Sequence, residues 1–175
     1  MAAKPAQFSK GDWIVHLHYG VGQVKAVERK QIGKKKSSYY RAETSNSTFW
    51  VPVEFPDSER VRPVASKYKM RKAIGILKDS PVALADDHND RKRQINEALS
   101  QISIDAGAKL LRDLSARQAS FKLNPTEEKA LDQFTNNFIL EWSVSTGMDI
   151  EKIREKFQDL LQVIRSNAST LLEHS

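Results

Sequence analysis

Cysteine is absent from this 175-residue chain, which excludes disulfides and thiolate metal sites. No apolar run approaches the roughly 20 residues that span a bilayer. The opening segment, MAAKPAQFSKGDW, has no apolar core of the kind a signal peptide needs. We therefore expect a cytoplasmic protein that makes no membrane contact.

Acidic residues are scarce in the first part of the chain. Overall, 28 Lys/Arg face 22 Asp/Glu, for a net charge of +6 and a pI near 9.5. Residues 1–70 hold 13 basic and 6 acidic side chains, a net of +7, whereas residues 71–175 have a net of −1. A basic balance indicates a polyanionic neighbour, and its uneven distribution predicts two units with different surfaces.

A specific catalytic constellation is also lacking. His16 and His18 could project from one strand face and chelate a metal, but no third ligand can be named. Asp86-Asp87 lies in a polar linker. Glu127-Glu128 lies in the first turn of a helix, where the helix dipole stabilises carboxylates. We predict a protein that is not an enzyme and uses neither a metal nor a cofactor.

The first half of the chain alternates as β-strands do. DWIVHLH, GQVKAVER, YYRAET and STFWVPVE read as four strands, with QIGKKKSS as a polar hairpin loop. Pro52 cannot donate to a ladder, so it belongs near a strand end or at a sheet edge. Short strands joined by tight turns predict a small barrel.

The second half of the chain has the 3.6-residue period of helices. A first helix contains Met70 and Leu77, and a polar linker at about 79–88 follows it. The next helix extends to Ile102, and Asp105 is the predicted N-cap of the one after. In LNPTEEKAL, Asn124 is the predicted N-cap, Pro125 fits N1 and Glu127 completes a capping box. Gly147 is predicted to end that helix, and Asp149 to cap the last one.

The Gly-x-Gly of HYGVGQVKAVE resembles a phosphate-binding loop. Such a loop needs a helix after it, whereas the residues after Gly22 alternate as a strand and no Lys-Ser/Thr follows. We interpret these glycines as a turn that needs positive φ or a close backbone approach.

Two surface features remain open to more than one interpretation. Arg91-Lys92-Arg93 opens a helix, where basic residues oppose the helix dipole. These side chains could either contact DNA phosphates or be solvated surface residues. Asp86, Asp87 and Asp90 lie nearby in the sequence and reduce the local positive charge. One residue of the adjacent pair Phe49 and Trp50 must face outward, and Trp50 is our candidate for an exposed protein-binding anchor.

The combined motifs resemble the CarD/CdnL family of bacterial transcription factors, whose N-terminal module also occurs in transcription-repair coupling factor. The matching residues are Gly11-Asp12, Tyr19-Gly20 with Gly22, Ile32-Gly33, Val51-Pro52, then Arg112, Asp113, Leu114, Arg117, Leu123 and Glu127. The resemblance implies an α+β protein with a Tudor/SH3-like barrel over residues 1–65 and a compact helical domain over 66–175.

The resemblance also implies partners. The barrel would dock on the β subunit of RNA polymerase through an edge that includes Lys30, Trp50, Val51 and Pro52. The helical domain would contact promoter DNA, weakly and while tethered, through basic residues at Arg91, Lys92 and Arg93. His88 stands where the family has a tryptophan wedge for the minor groove, and Glu128 stands where a basic residue is common.

We therefore expect a monomeric, non-enzymatic transcriptional regulator that binds RNA polymerase. Two alternatives stay open. One is a polymerase-binding adaptor whose helical domain recruits another protein, and the other is a stand-alone nucleic-acid-binding module that uses the basic β-domain.

Overall fold

The computed structural model describes residues 7–54 and 59–173, with side chains described as far as residue 169. The chain divides into two compact units, Met1–Val64 and Ala65–Ser175. The first is a β-sheet unit and the second is all-helical. The predicted α+β class, with strands before helices, is therefore confirmed.

The first unit contains one antiparallel sheet with the strand order β4-β3-β2-β1-β5. Its core is formed by Phe8, Ile14, Val24, Tyr40, Ala42, Phe49, Val51 and Val61. Since β4 and β5 at opposite ends of the sheet both contribute to this core, the sheet must curl around it, as in a small barrel. The strands are β1 (Trp13–His16), β2 (Gly20–Ile32), β3 (Lys35–Glu43), β4 (Thr48–Pro52) and β5 (Val61–Pro63).

The central hairpin is longer than its sequence pattern predicts. Lys35 and Lys36 lie within β3, so the expected loop reduces to a tight turn in which Gly33 has φ 65°. This end of the hairpin extends beyond the core, so both faces meet solvent and apolar alternation is lost. The three-residue β5 has no periodic signal and was not predicted. The first strand ends at His16, so the prediction that it includes His18 was wrong.

The Gly-x-Gly segment is a turn into β2, as the sequence predicts. Gly20 has φ 78°, a conformation that favours glycine. Gly22 lies against another chain segment, because a Cβ built on it would be 3.0 Å from Phe49 Cε1 and 3.2 Å from the Glu43 carbonyl oxygen. Both expected reasons for glycine therefore apply, one at each position, and no helix follows.

The second unit packs five helices around one core. Its largest fully buried side chains include Met70, Leu77, Ile95, Leu111, Leu114, Ile153, Phe157 and Ile164. The helices are α1 (Lys67–Lys78), α2 (His88–Leu99), α3 (Ile104–Ser120), α4 (Pro125–Thr146) and α5 (Ile150–Glu173).

Helix boundaries follow local capping chemistry. Asn124, Pro125 and Glu127 form the predicted capping box, and Gly147 ends α4 with φ 72°. Asp149 accepts a hydrogen bond from the Glu151 N–H at 2.9 Å at the start of α5.

Two boundary predictions were wrong. The N-cap of α3 is Ser103, whose hydroxyl accepts from the Ala106 N–H at 3.4 Å, while Asp105 lies inside the first turn. Helix α2 ends at Leu99, so Ile102 lies outside it. Serine and aspartate are both good N-caps, and Ser103 and Asp105 are only two residues apart. The sequence alone therefore did not show which of them caps α3.

Candidate binding surfaces

The outer face of β2, β3 and β4 presents an ordered tryptophan. Trp50 is 41% exposed, and its Nε1–H donates to Glu28 Oε2 at 3.0 Å. The Lys30 ammonium nitrogen lies 3.3 Å from the centroid of the Trp50 ring, within the range of a cation–π contact. The indole is therefore held at its edge by a carboxylate and on its face by a cation.

Arg41 extends this arrangement across the sheet. It pairs with Trp50 in the strand register, and its Nε lies 2.7 Å from Glu28 Oε1 while its Nη1 lies 2.5 Å from Glu43 Oε1. Glu28 thus contacts both the indole and the guanidinium. We call the surface formed by Glu28, Lys30, Arg41, Trp50 and Pro52 the Trp50 face.

The end of β4 lies at an edge of the sheet. The Val53 N–H donates to the Ser38 carbonyl at 3.0 Å, so the alternation of backbone groups directs the N–H and C=O of Trp50 away from β3. Pro52 is exposed and lies where its missing N–H would also face outward. The predicted edge position of Pro52 is confirmed by the strand order.

The structure brings together only part of the predicted polymerase-binding set. Lys30 and Trp50 are in contact, and Pro52 is an exposed neighbour along β4. Val51 instead points inward and is 2% exposed, so its side chain belongs to the core. Glu28 and Arg41 also belong to this surface and were not predicted from the sequence. The i, i+2 spacing of Glu28 and Lys30 was the signal that both share one strand face.

The predicted DNA-binding residues lie at the start of α2. His88 is the first residue of the helix and is exposed, and its Nδ1 lies 3.3 Å from Asn124 Nδ2. Lys92 is exposed one turn later and therefore lies on the same stripe as His88. Arg93 is exposed on a neighbouring stripe and forms an ion pair with Asp90.

Arg91 faces the interior of the unit rather than solvent. Its Nε lies 2.6 Å from Glu127 Oε1, and its Nη1 donates to the carbonyl oxygens of Ala85 at 3.0 Å and Asp86 at 2.5 Å. The residue is 8% exposed, so its guanidinium is not available to a phosphate in this conformation. Arg91 is one residue before Lys92, so its side chain is rotated by about 100° around the helix axis from that of Lys92 and lies in the interface between helices. We therefore assign it a structural role.

Glu127 connects α2, α3 and α4. Besides closing the capping box, its carboxylate bonds to Arg91 and lies 3.7 Å from Arg117 Nε. Burial by itself raises the pKa of this carboxyl. The hydrogen bonds from Arg91 and the Asn124 N–H, with the charges of Arg117 and Arg91, outweigh burial and lower the pKa below its ordinary value.

No group of three or more His, Asp or Glu side chains suited to a metal occurs among residues 7–54 and 59–169. His16 Nδ1 instead accepts a hydrogen bond from the His18 N–H at 3.0 Å, and the two rings lie 5.8 Å apart. None of the described helices is both long enough and apolar enough to cross a membrane.

Both units match models of known protein families. Residues 8–65 match the CarD-like/TRCF RID domain, and residues 72–158 match the CarD C-terminal domain. The chain belongs to the CarD-like family. This CarD-like protein is also 28% identical over 149 residues to the "Putative transcription factor YdeB" of Bacillus subtilis (strain 168). That match covers 84% of this chain and 97% of the relative. The family resemblance seen in the sequence is thus confirmed, and with it the coarse function of a transcriptional regulator.

Proposed function

We propose that this CarD-like protein docks on the β subunit of RNA polymerase through the Trp50 face. The observation that carries the proposal is the position of Trp50, which is exposed and yet fixed by Glu28 and Lys30. Exposed tryptophans at the centre of an interface commonly contribute a large share of its binding free energy. An indole that is already ordered loses little conformational entropy on binding.

The edge of β4 supplies a second means of recognition. The outward N–H and C=O of Trp50 are available to an extended segment of a partner, which would add to the sheet as a further strand. Pro52, which has no N–H, limits such pairing to the residues before it. Side-chain contacts at Trp50 would then set the register of the added strand.

We further propose that the helical unit contacts promoter DNA through His88, Lys92 and Arg93, with Arg91 holding α2 in place from beneath. Asp87 and Asp90 lie among these residues, so the contact is expected to be weak. Tethering to polymerase would raise the effective concentration of DNA and make a weak contact sufficient. We propose that the protein acts in the cytoplasm and without a catalytic step.

Replacing Trp50 tests the docking surface. We expect Trp50→Ala to weaken binding of the full chain to the purified β subunit by at least about 30-fold, as loss of a central interface tryptophan does. Lys30→Glu should also weaken binding, because it reverses the charge over the ring. Biolayer interferometry with the β subunit immobilised gives the dissociation constants.

Trp13→Ala is the matched control. Trp13 lies in the same unit and is 40% exposed, against 41% for Trp50, so both substitutions remove the same side chain from equally exposed positions. The proposal fails if the two variants lose the same affinity, or if Trp50→Ala binds like the unmodified chain.

A further inference from the structure

Helix α1 is unusually basic. Its 12 residues include Lys67, Lys69, Arg71, Lys72 and Lys78, and no aspartate or glutamate. All five basic side chains belong to exposed residues. None of the family motifs in this sequence includes them, and the proposed DNA contact at α2 does not use them.

Three of these residues form a continuous stripe. Lys67, Arg71 and Lys78 are separated by four and seven residues, so they lie within about 40° of one another around the helix. Met70 and Leu77 are fully buried against the helical core and lie about 100° around the helix from the centre of these three residues. We call Lys67, Arg71 and Lys78 the α1 basic stripe, which extends over about 16 Å at 1.5 Å per residue.

Contacts among the described residues do not account for the stripe. Among the described residues none of its three side chains forms an ion pair, whereas the neighbouring Lys72 lies 3.2 Å from Asp105. Lys67 also occupies the first turn of α1, where a cation opposes the helix dipole. The stripe therefore has positive charge that is not neutralised within the described chain.

Next to the stripe, the helix surface is open. Tyr68 is 70% exposed, and its hydroxyl is a donor of the type that contacts phosphate oxygens. Gly75 lies on the same side, and a Cβ added there would meet nothing within 4 Å, so packing does not require a glycine. A ligand backbone can approach α1 closely at this position.

We propose that the α1 basic stripe binds the phosphate backbone of duplex DNA. A row of cations about 16 Å long fits a partner with charges at regular short intervals, and each DNA strand has a phosphate every ~3.4 Å along the helix axis. Contacts to phosphates do not read the bases, so we expect this binding to be independent of DNA sequence. The surface is separate from the α2 contact and does not depend on polymerase docking.

The test is the affinity of the full chain for a fluorescein-labelled 30-base-pair duplex, measured by anisotropy between 50 and 200 mM NaCl without polymerase. We expect the triple variant Lys67→Gln, Arg71→Gln, Lys78→Gln to bind roughly tenfold or more weakly at low salt. The slope of log K against log salt should fall by about 3, or about one for each cation that no longer pairs with a phosphate.

The control triple, Lys129→Gln, Lys152→Gln, Lys156→Gln, removes the same charge from exposed positions on α4 and α5. It should leave both affinity and slope almost unchanged. Equal losses in the two triples would overturn the proposal, because net charge alone would then explain the binding. Normal DNA binding by the α1 triple variant would also overturn the proposal. If that variant bound DNA normally but lost polymerase binding, the stripe would instead be assigned to an acidic protein surface.

A further pair of variants separates the two DNA surfaces. Lys92→Gln with Arg93→Gln tests the proposed α2 contact, and the α1 triple should still reduce affinity when added to that background. If only the α2 variants weaken binding, the α1 proposal fails while the proposed function stands. If polymerase docking fails instead, the DNA result is unaffected, because it is measured on DNA alone.

Discussion

At the scale of single residues, Glu127 combines a capping role with contacts to two arginines. It caps α4, accepts a hydrogen bond from Arg91 and lies near Arg117, and it is 2% exposed. A buried carboxylate is tolerated only where such partners replace its hydration. Two of its partners are arginines on other helices, so this one side chain couples three helices of the unit.

We expect Glu127→Gln to lower the free energy of unfolding by about 3 kcal/mol at pH 7, since it leaves two arginines without a buried counter-charge. The folded-state pKa of Glu127 lies below the unfolded value of about 4.3. Its stabilisation is therefore fully present above the unfolded pKa and is lost as pH falls through the folded pKa. Urea denaturation at pH 7 and at pH 3 measures the difference.

Glu128→Gln is the control, because Glu128 is the exposed neighbour in the same helix turn. It should change stability by less than about 0.5 kcal/mol. A difference between Glu127→Gln and the unmodified chain that stays the same at pH 3 and pH 7 would contradict the role of the carboxylate charge.

At the scale of elements, the helix ends that were predicted from local capping chemistry at Asn124 and Gly147 were confirmed. The capping box at Asn124 and the turn at Gly147 depend on residues within one helix turn, so they were visible in the sequence. The inward orientation of Arg91 depends on Glu127, 36 residues later, and no local pattern indicates it. The same holds for the contacts between strands in the Trp50 face, because Glu28, Arg41 and Trp50 come from three strands.

Helix α2 should be the least firmly attached helix of the second unit. Only Arg91 and Ile95 are buried among its residues. We expect Arg91→Ala to speed amide hydrogen exchange roughly tenfold or more within His88–Leu99, because a local opening then loses its main polar anchor. Exchange in α5 should change much less, and mass spectrometry of peptic fragments resolves the two helices.

Arg93→Ala serves as the comparison, since Arg93 is exposed and contacts Asp90 on the same helix. It should leave exchange in α2 nearly unchanged. Equal acceleration in α2 and α5 by Arg91→Ala would contradict the account, because α2 would then open only together with the whole unit.

At the scale of the whole molecule, the two compact units present different chemistry. The first exposes an ordered tryptophan at a sheet edge, which suits a protein partner. The second exposes a basic stripe on α1 and a mixed-charge surface at α2, which suit a polyanion. In our account the first unit fixes the protein to polymerase, and the second meets DNA at a high effective concentration.

The most direct test of this account is photocrosslinking from position 50. With p-benzoylphenylalanine in place of Trp50, irradiation in the presence of RNA polymerase holoenzyme should link the chain to the β subunit. The same amino acid in place of Trp13 should give little crosslink, because Trp13 lies outside the Trp50 face. A crosslink from position 50 to a different subunit, or a stronger β crosslink from position 13, would contradict docking through the Trp50 face.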